Sequence, residues 1–166
     1  MFDVTFGEIE YTEDYGFTAH RQFVFGGKEQ SADILIMCDD EEEGITQFQR
    51  NAFEALMQEW EEIQHKISVS ILRYYNEEEK GSYGPEDLKE FASWWPDIDN
   101  EDQLINRIHL DSIVIEQEYV MESKGSNPVY VLFNRDWGGK DMDDNGVAVL
   151  ITDGEVIEVG YKDIAF

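Results

Sequence analysis

The spacing of hydrophobic positions along this chain changes period twice. From Val4 to Tyr11 apolar and polar residues alternate, and Phe17, Ala19, Phe23 and Phe25 continue that rhythm among polar neighbours. Period two is the signature of strands with one buried face. Gly26-Gly27 supplies the positive φ of a tight hairpin turn, and Ser31 to Cys38 reads as the returning, more apolar strand. The steps then become three and four. Phe48, Ala52, Phe53, Leu56, Met57, Trp60, Ile63, Ile67 and Ile71 form the stripe of an amphipathic helix. Thr46 and Gln49 match a capping box, in which hydroxyl and amide satisfy orphan backbone donors. The pattern predicts one long helix from about Thr46 to about Tyr75, with Glu54, Glu59, Glu61 and Glu62 facing water.

Glu77-Glu78-Glu79-Lys80-Gly81 closes that helix. Pro85, at a favoured first helical position, opens a short helix with Leu88, Phe91, Ala92 and Trp95 turned inward. Trp94-Trp95-Pro96 ends it, and a brief helix is expected around Gln103 to Arg107. Period two then returns in Leu110 to Met121; Val129 to Phe133 is a continuous apolar strand, and Gly146 to Thr152 pairs with Glu155 to Val159 across Asp153-Gly154, a type I′ turn signal. Strands, helices and strands in that order give an α+β fold class. The expectation is a single domain over residues 1–166. Its mostly antiparallel sheet, built from the N- and C-terminal strands, packs with one long central helix and one or two short ones.

Charge changes the picture most. Asp and Glu number 38 against 12 Lys and Arg, a formal net charge of -26 on 166 residues. With 42% hydrophobic and 13% aromatic residues the chain is too apolar to be a disordered acidic segment, so the charge belongs to the shell of a folded body. Phosphates are neutralised by Lys and Arg, which disfavours direct nucleic-acid binding; anionic membrane surfaces are disfavoured for the same reason. A basic protein partner is favoured, because an acidic field speeds encounter with positive surfaces. No secretory leader and no bilayer-length apolar stretch is visible, and the single Cys38 precludes an internal disulfide. Together these point to a cytoplasmic protein with a buried Cys38.

Three acidic segments are candidates for the partner-binding surface: Asp39, Asp40, Glu41, Glu42 and Glu43; Glu77, Glu78 and Glu79; and Asp97 and Asp99, with Trp94 beside them. Aromatic anchors ringed by acids suit a cationic surface, since Tyr and Trp are frequent hot-spot residues and attract Arg and Lys. Acids arranged in rows like phosphates would instead mimic a nucleic acid and inhibit its enzyme. Asp141, Asp143 and Asn145, followed by Gly146, reproduce the opening of a calcium loop, although Thr152 stands where its bidentate Glu belongs. A turn between strands explains the same residues, with weak calcium or magnesium binding as the alternative. His20, His65 and His109 lie outside any zinc spacing, and no Gly-x-Ser-x-Gly elbow is present. No residue is identified as catalytic and no cofactor is called for.

Several segments carry a family resemblance: Phe6-Gly7-Glu8-Ile9-Glu10-Tyr11; Ile45-Thr46 with Gln49-Arg50 and Ala52; Tyr74-Tyr75-Asn76; Asp143-Asp144-Asn145-Gly146-Val147-Ala148-Val149; and Val159-Gly160-Tyr161 with Asp163. Through them the chain resembles, nearly end to end, a poorly characterised bacterial family of acidic single-domain proteins. That family often shows Trp-Asp-x-Glu-His-Gly at the final turn; here Met142 and Asn145 replace its Trp and His. Some relatives resemble immunity proteins encoded beside toxins. The resemblance therefore implies a non-enzymatic, immunity-type inhibitor of a basic toxin, and transfers no catalytic residue.

Overall fold

Each run of alternating residues folds into a four-strand meander. In the computed structural model, which describes residues 1–139 and 145–166, the first meander is β1 (Phe2–Asp3), β2 (Gly7–Thr12), β3 (Gly16–Phe25) and β4 (Lys28–Met37). The second is β5 (Ile108–Ile115), β6 (Val129–Arg135), β7 (Val147–Thr152) and β8 (Glu155–Gly160). Both join in one eight-stranded sheet whose spatial order is the sequence order. Neighbours are antiparallel except β4 and β5, which run parallel with Asp33–Ile36 beside Ser112–Ile115. Parallel neighbours require a crossover, normally helical. It is supplied by α1 (Gln47–Gln58), α2 (Trp60–Tyr74), α3 (Leu88–Trp94) and α4 (Glu101–Ile105), while a short α5 (Glu118–Met121) sits between β5 and β6.

The helical crossover covers one face of the sheet. There Phe53, Ile63, Ile67 and Ile71 meet Ile34, Ile36, Ile113, Val131, Phe133 and Val149 in the main core. Burial of each such side chain favours folding by about 1.5–3 kcal/mol. The other face holds a smaller core in which Val114, Tyr130, Leu132, Ala148 and Leu150 pack with Met121 of α5 and Ala165. Ala165 belongs to a C-terminal 3-10 turn, Lys162–Ala165. Strands β6 and β7 are thus covered on both sides, which explains why they read as continuous apolar runs. Asp153 and Gly154 take φ values of 50° and 72°, and Gly26 and Gly27 values of 60° and 77°, in keeping with the predicted hairpin turns.

Several expectations are corrected. The long helix is two helices, interrupted at Glu59 (φ -108°, ψ 9°). The interruption lets Trp60 turn onto Phe23 and Phe25, where its Nε1–H donates to the Val24 carbonyl at 2.9 Å. Helix α3 starts at Leu88 rather than Pro85, because the Asp87 carboxylate caps it; Leu88 then faces solvent. Helix α4 begins at Glu101, capped by Asn100. Strand β5 stops at Ile115, and α5 swings Met121 under the second face. Cys38 lies just past β4, half-buried.

A buried glutamine closes the parallel seam at each end. Gln30 donates to the Phe25 carbonyl at 3.2 Å and accepts from Leu110 N–H at 2.6 Å, where β5 enters. At the exit Gln49, 1% exposed, donates through Nε2 to the carbonyls of Met37 (2.7 Å) and Ile115 (3.4 Å). Its Oε1 accepts from Thr46 N–H, and its own N–H bonds the Thr46 hydroxyl, completing the predicted capping box. Gln49→Leu and Gln30→Leu each strand buried backbone groups, at a cost of about 1–3 kcal/mol per group. We expect urea titration to show unfolding free energies lower by about 2–4 kcal/mol for either variant. Gln49→Glu, which keeps the cap but turns a carboxylate on two carbonyls, is expected to fall at least as far.

Candidate functional site

Alternation of strand direction decides which loops share an end of the sheet. The registers place Gly16 beside Met37, Ile36 beside Ile115, Val114 beside Tyr130, Val129 beside Ile151 and Thr152 beside Glu155. One rim therefore collects the β2–β3 turn, the segment from β4 to α1, the β5–β6 connection and the β7–β8 turn. Those segments carry Glu13, Asp14, Asp39, Asp40, Glu41, Glu42, Glu43, Glu116, Glu118, Glu122 and Asp153, against Lys124 alone among the basic residues. Glu41–Glu43 form a 3-10 turn, capped by the Asp40 carboxylate, which accepts from Glu42 N–H at 3.0 Å.

The rim acids lack cationic partners. Among the described residues, none of these eleven acids enters an ion pair. Arg50, behind them, is committed to Asp3 (2.6 Å) and the Ile45 carbonyl (2.6 Å). Asp3 feels burial, which opposes ionisation, but hydrogen bonds from Arg50, Thr5 and Phe6 outweigh it and hold its carboxyl below the usual range. On the rim itself the resolved shifts run upward. Tyr119, 67% exposed, donates its hydroxyl to Asp39 at 3.1 Å, and that bond, with the charges of Asp39, Glu116 and Glu43, raises its phenol. Burial raises the Glu116 carboxyl, the Gln117 N–H opposes, and the Asp39 charge adds to the rise. Burial raises Tyr11, with Cys38, Asp40, Glu41 and Glu13 adding negative field. Exposed Tyr15, tilted against exposed Phe166 with ring centres 5.9 Å apart, and exposed Val120 supply apolar contact area beside the acids.

The other candidates are elsewhere. Glu77–Glu79, Asp97 and Asp99 lie beyond α2 and before β5, toward the opposite end of the sheet. Cations gather there: Lys80 pairs Asp97 at 2.7 Å, Arg107 pairs Asp136 at 3.1 Å, and Lys162 pairs Asp111 at 3.2 Å. Glu77, Glu78 and Asp99 are exposed, and Trp94 is half-buried against Tyr83. Glu79 is corrected outright, because its side chain is fully buried and pairs with the equally buried Arg135. Helix α2 ends in a π-helical turn, Tyr75–Glu79, that turns this carboxylate inward. Glu79 also accepts from Trp137 Nε1 at 2.6 Å, Arg135 donates to the Tyr83 hydroxyl at 2.8 Å, and the guanidinium lies over the Tyr161 ring. Burial and the Glu79 charge push Tyr74 up to about 12 and raise Tyr75 and Tyr161 further. This is an internal scaffold. A residue after a run of surface glutamates gives no sequence signal that it will be buried, since the π turn sets its direction.

Among the described residues no three His, Cys, Asp or Glu side chains converge as a metal site. Asp141 and Asp143 lie outside the described residues; Asn145 accepts from Lys162 N–H through its carbonyl at 2.7 Å. His20 and His65 meet Asp33 and Glu101 on the surface, and His109 is exposed. Among the described residues no helix is long and apolar enough to cross a membrane. Sequence reasoning missed Glu116, Tyr119 and Glu13, which strand order brings near Asp39–Glu43, and Asp153, which it brings to the same end of the sheet.

The family model described as a domain of unknown function (DUF6985) matches residues 5–166, and the chain belongs to that family. No curated protein and no solved structure matches it.

Two outcomes follow from this geometry. Arg135→Met alone leaves a buried unpaired carboxylate and is expected to cost about 3–5 kcal/mol, while the double variant Glu79→Gln/Arg135→Met recovers much of that in denaturant titration. Glu116 has a raised folded-state pKa, so the folded chain holds more protons than the unfolded chain between the two values, and stability falls as pH rises through that window. Glu116→Gln is therefore expected to raise the thermal midpoint at pH 7 and to lose that advantage below about pH 4, near the unfolded carboxyl value.

Proposed function

We propose that this DUF6985 member is a non-enzymatic binding protein whose acidic rim covers a basic protein, in its most specific form a bacterial, immunity-type inhibitor of a basic toxin. The observation that supports this reading is the partition of charge. Among the described residues, Lys80, Arg107 and Lys162 pair with Asp97, Asp136 and Asp111 at the far end of the sheet, although Glu77, Glu78 and Asp99 enter no ion pair, whereas none of the eleven rim acids is paired. Uncompensated carboxylates repel one another and weaken the fold; at Glu116, where burial is the main cause of the raised carboxyl, the Asp39 charge adds to the rise. A cationic partner relieves that repulsion on binding. Tyr119 and Tyr15 suit the role of anchors, because aromatic side chains bury large area with few rotors to freeze. Their presence, with Val120, favours a protein surface over the phosphate-binding groove that a nucleic-acid mimic would fill, since a stand-in for the phosphate backbone requires charge and no apolar contact.

The field acts over about 8 Å at physiological ionic strength, so it governs encounter more than residence. With the partner recovered by affinity capture from lysate, the association rate is expected to fall at least about tenfold between 50 mM and 500 mM salt. The triple variant Asp39→Asn/Glu41→Gln/Glu43→Gln is expected to slow association by about tenfold, whereas Glu77→Gln/Glu78→Gln/Asp99→Asn leaves it unchanged. Rates indifferent to salt, or equal effects from the two variants, count against the rim.

A further inference from the structure

A cavity of about 250 Å³ lies between the α1–α2 break and the β7–β8 turn. Leu56, Val129 and Ile151 give it an apolar lining, and Glu59, Asn127 and Asp153 add polar groups to its wall. Sites for drug-sized molecules span roughly 300–1,000 Å³, so this one has the scale of a single side chain rather than of a cofactor.

The polar wall is held by backbone geometry. Asn127 (φ 52°) and Asp153 (φ 50°) are the non-glycine residues with left-handed backbone among those described, and both line this cavity. Such positions are sparsely occupied by residues other than glycine, with Asn and Asp the best tolerated. Glu59 is the residue at which the helix breaks, and its carboxylate lies over Gly154, where a Cβ would collide with it. Among the described residues Glu59 and Asp153 enter no ion pair. Lys66, at the edge of the cavity, is held by the Gly154 carbonyl and Glu155, each at 2.8 Å; it also feels the charges of Glu59 and Glu62 but makes no ion pair with either.

We infer that this cavity receives the side chain of an arginine presented by a basic polypeptide. Its methylenes lie along Leu56, Val129 and Ile151. Its guanidinium is shared by the Glu59 and Asp153 carboxylates, with the Asn127 amide oxygen as a further acceptor. The planar five-donor fork of arginine suits several separated acceptors, whereas the ammonium of lysine is a compact, strongly hydrated point charge. The polypeptide as the source of the arginine rests on the proposed function; the chemistry of the cavity does not.

The test is a titration of the intact, isotope-labelled protein with Nα-acetyl-arginine amide, followed by amide NMR. Saturable shifts are expected at Asn127, Ile151 and Gly154, with affinity about fivefold or more weaker for the lysine and citrulline analogues. Glu59→Gln and Asp153→Asn are each expected to weaken binding about threefold or more with the remaining spectrum unchanged, Asn being tolerated at a left-handed position. The triple variant at Asp39, Glu41 and Glu43 keeps the same affinity, so that acidic segment of the rim and the cavity fail separately. Citrulline amide binding as tightly as arginine amide, or shifts confined to residues 38–46, overturns the assignment. Free arginine binding as tightly as its blocked amide overturns the polypeptide source and makes the ligand a small molecule.

Discussion

The parallel seam between β4 and β5 is the constraint on which the rest of the molecule depends. A meander needs only turns, but joining two meanders side by side in parallel forces the chain back across the sheet. That return places α1 to α4 over one face and creates the main core. It also leaves a short ladder, Asp33–Ile36 against Ser112–Ile115, to carry the registry of both halves. A slip of one residue would turn every side chain of one half to the wrong face. Gln30 and Gln49 hold the ends of that ladder by supplying donors and acceptors where the strands part.

The same seam organises charge. Because β4 and β5 leave the sheet at one end, the acids that follow each strand become neighbours, and hairpin alternation brings two further turns beside them. The resulting rim has a high density of carboxylates, Lys124 as its one basic residue, and no ion pair to any of its acids among the described residues. At the other end the rule is reversed. Arg135 and Glu79 are buried together and braced by Trp137 and Tyr83. A buried ion pair of this kind adds little net stability over an apolar pair, but its hydrogen-bond geometry fixes how the π turn and the end of β6 meet. One end of the sheet buries an ion pair and pairs several of its surface acids; at the other, among the described residues, the acids stay unpaired.

Much of the fold was legible in the residues themselves. The capping box at Thr46 and Gln49, the hairpin turns at Gly26-Gly27 and Asp153-Gly154, and the α+β order all rest on local chemistry, and the structure contains each. The apolar stripe from Phe48 to Ile71 was legible too, but the break at Glu59 was not. Periodicity survives a kink, and nothing in Gln58-Glu59-Trp60 is a helix breaker; the kink answers to Trp60 docking on β3. Similarly, alternation past Ile115 looked like strand, yet Met121 was drawn beneath the second face.

The sequence by itself determined where the turns fall, which residues seek the interior and how negative the exterior must be, because those follow from side-chain chemistry over a few neighbouring residues. It left Glu77, Glu78 and Glu79 indistinguishable, and it gave no reason to set Glu116 beside Asp39 or to bring Asp153 to the same edge. Those distinctions belong to tertiary structure. A carboxylate is a surface charge or an interior partner according to the direction its backbone turn gives it, and acids distant in sequence share a field only when strand order brings their loops to one edge.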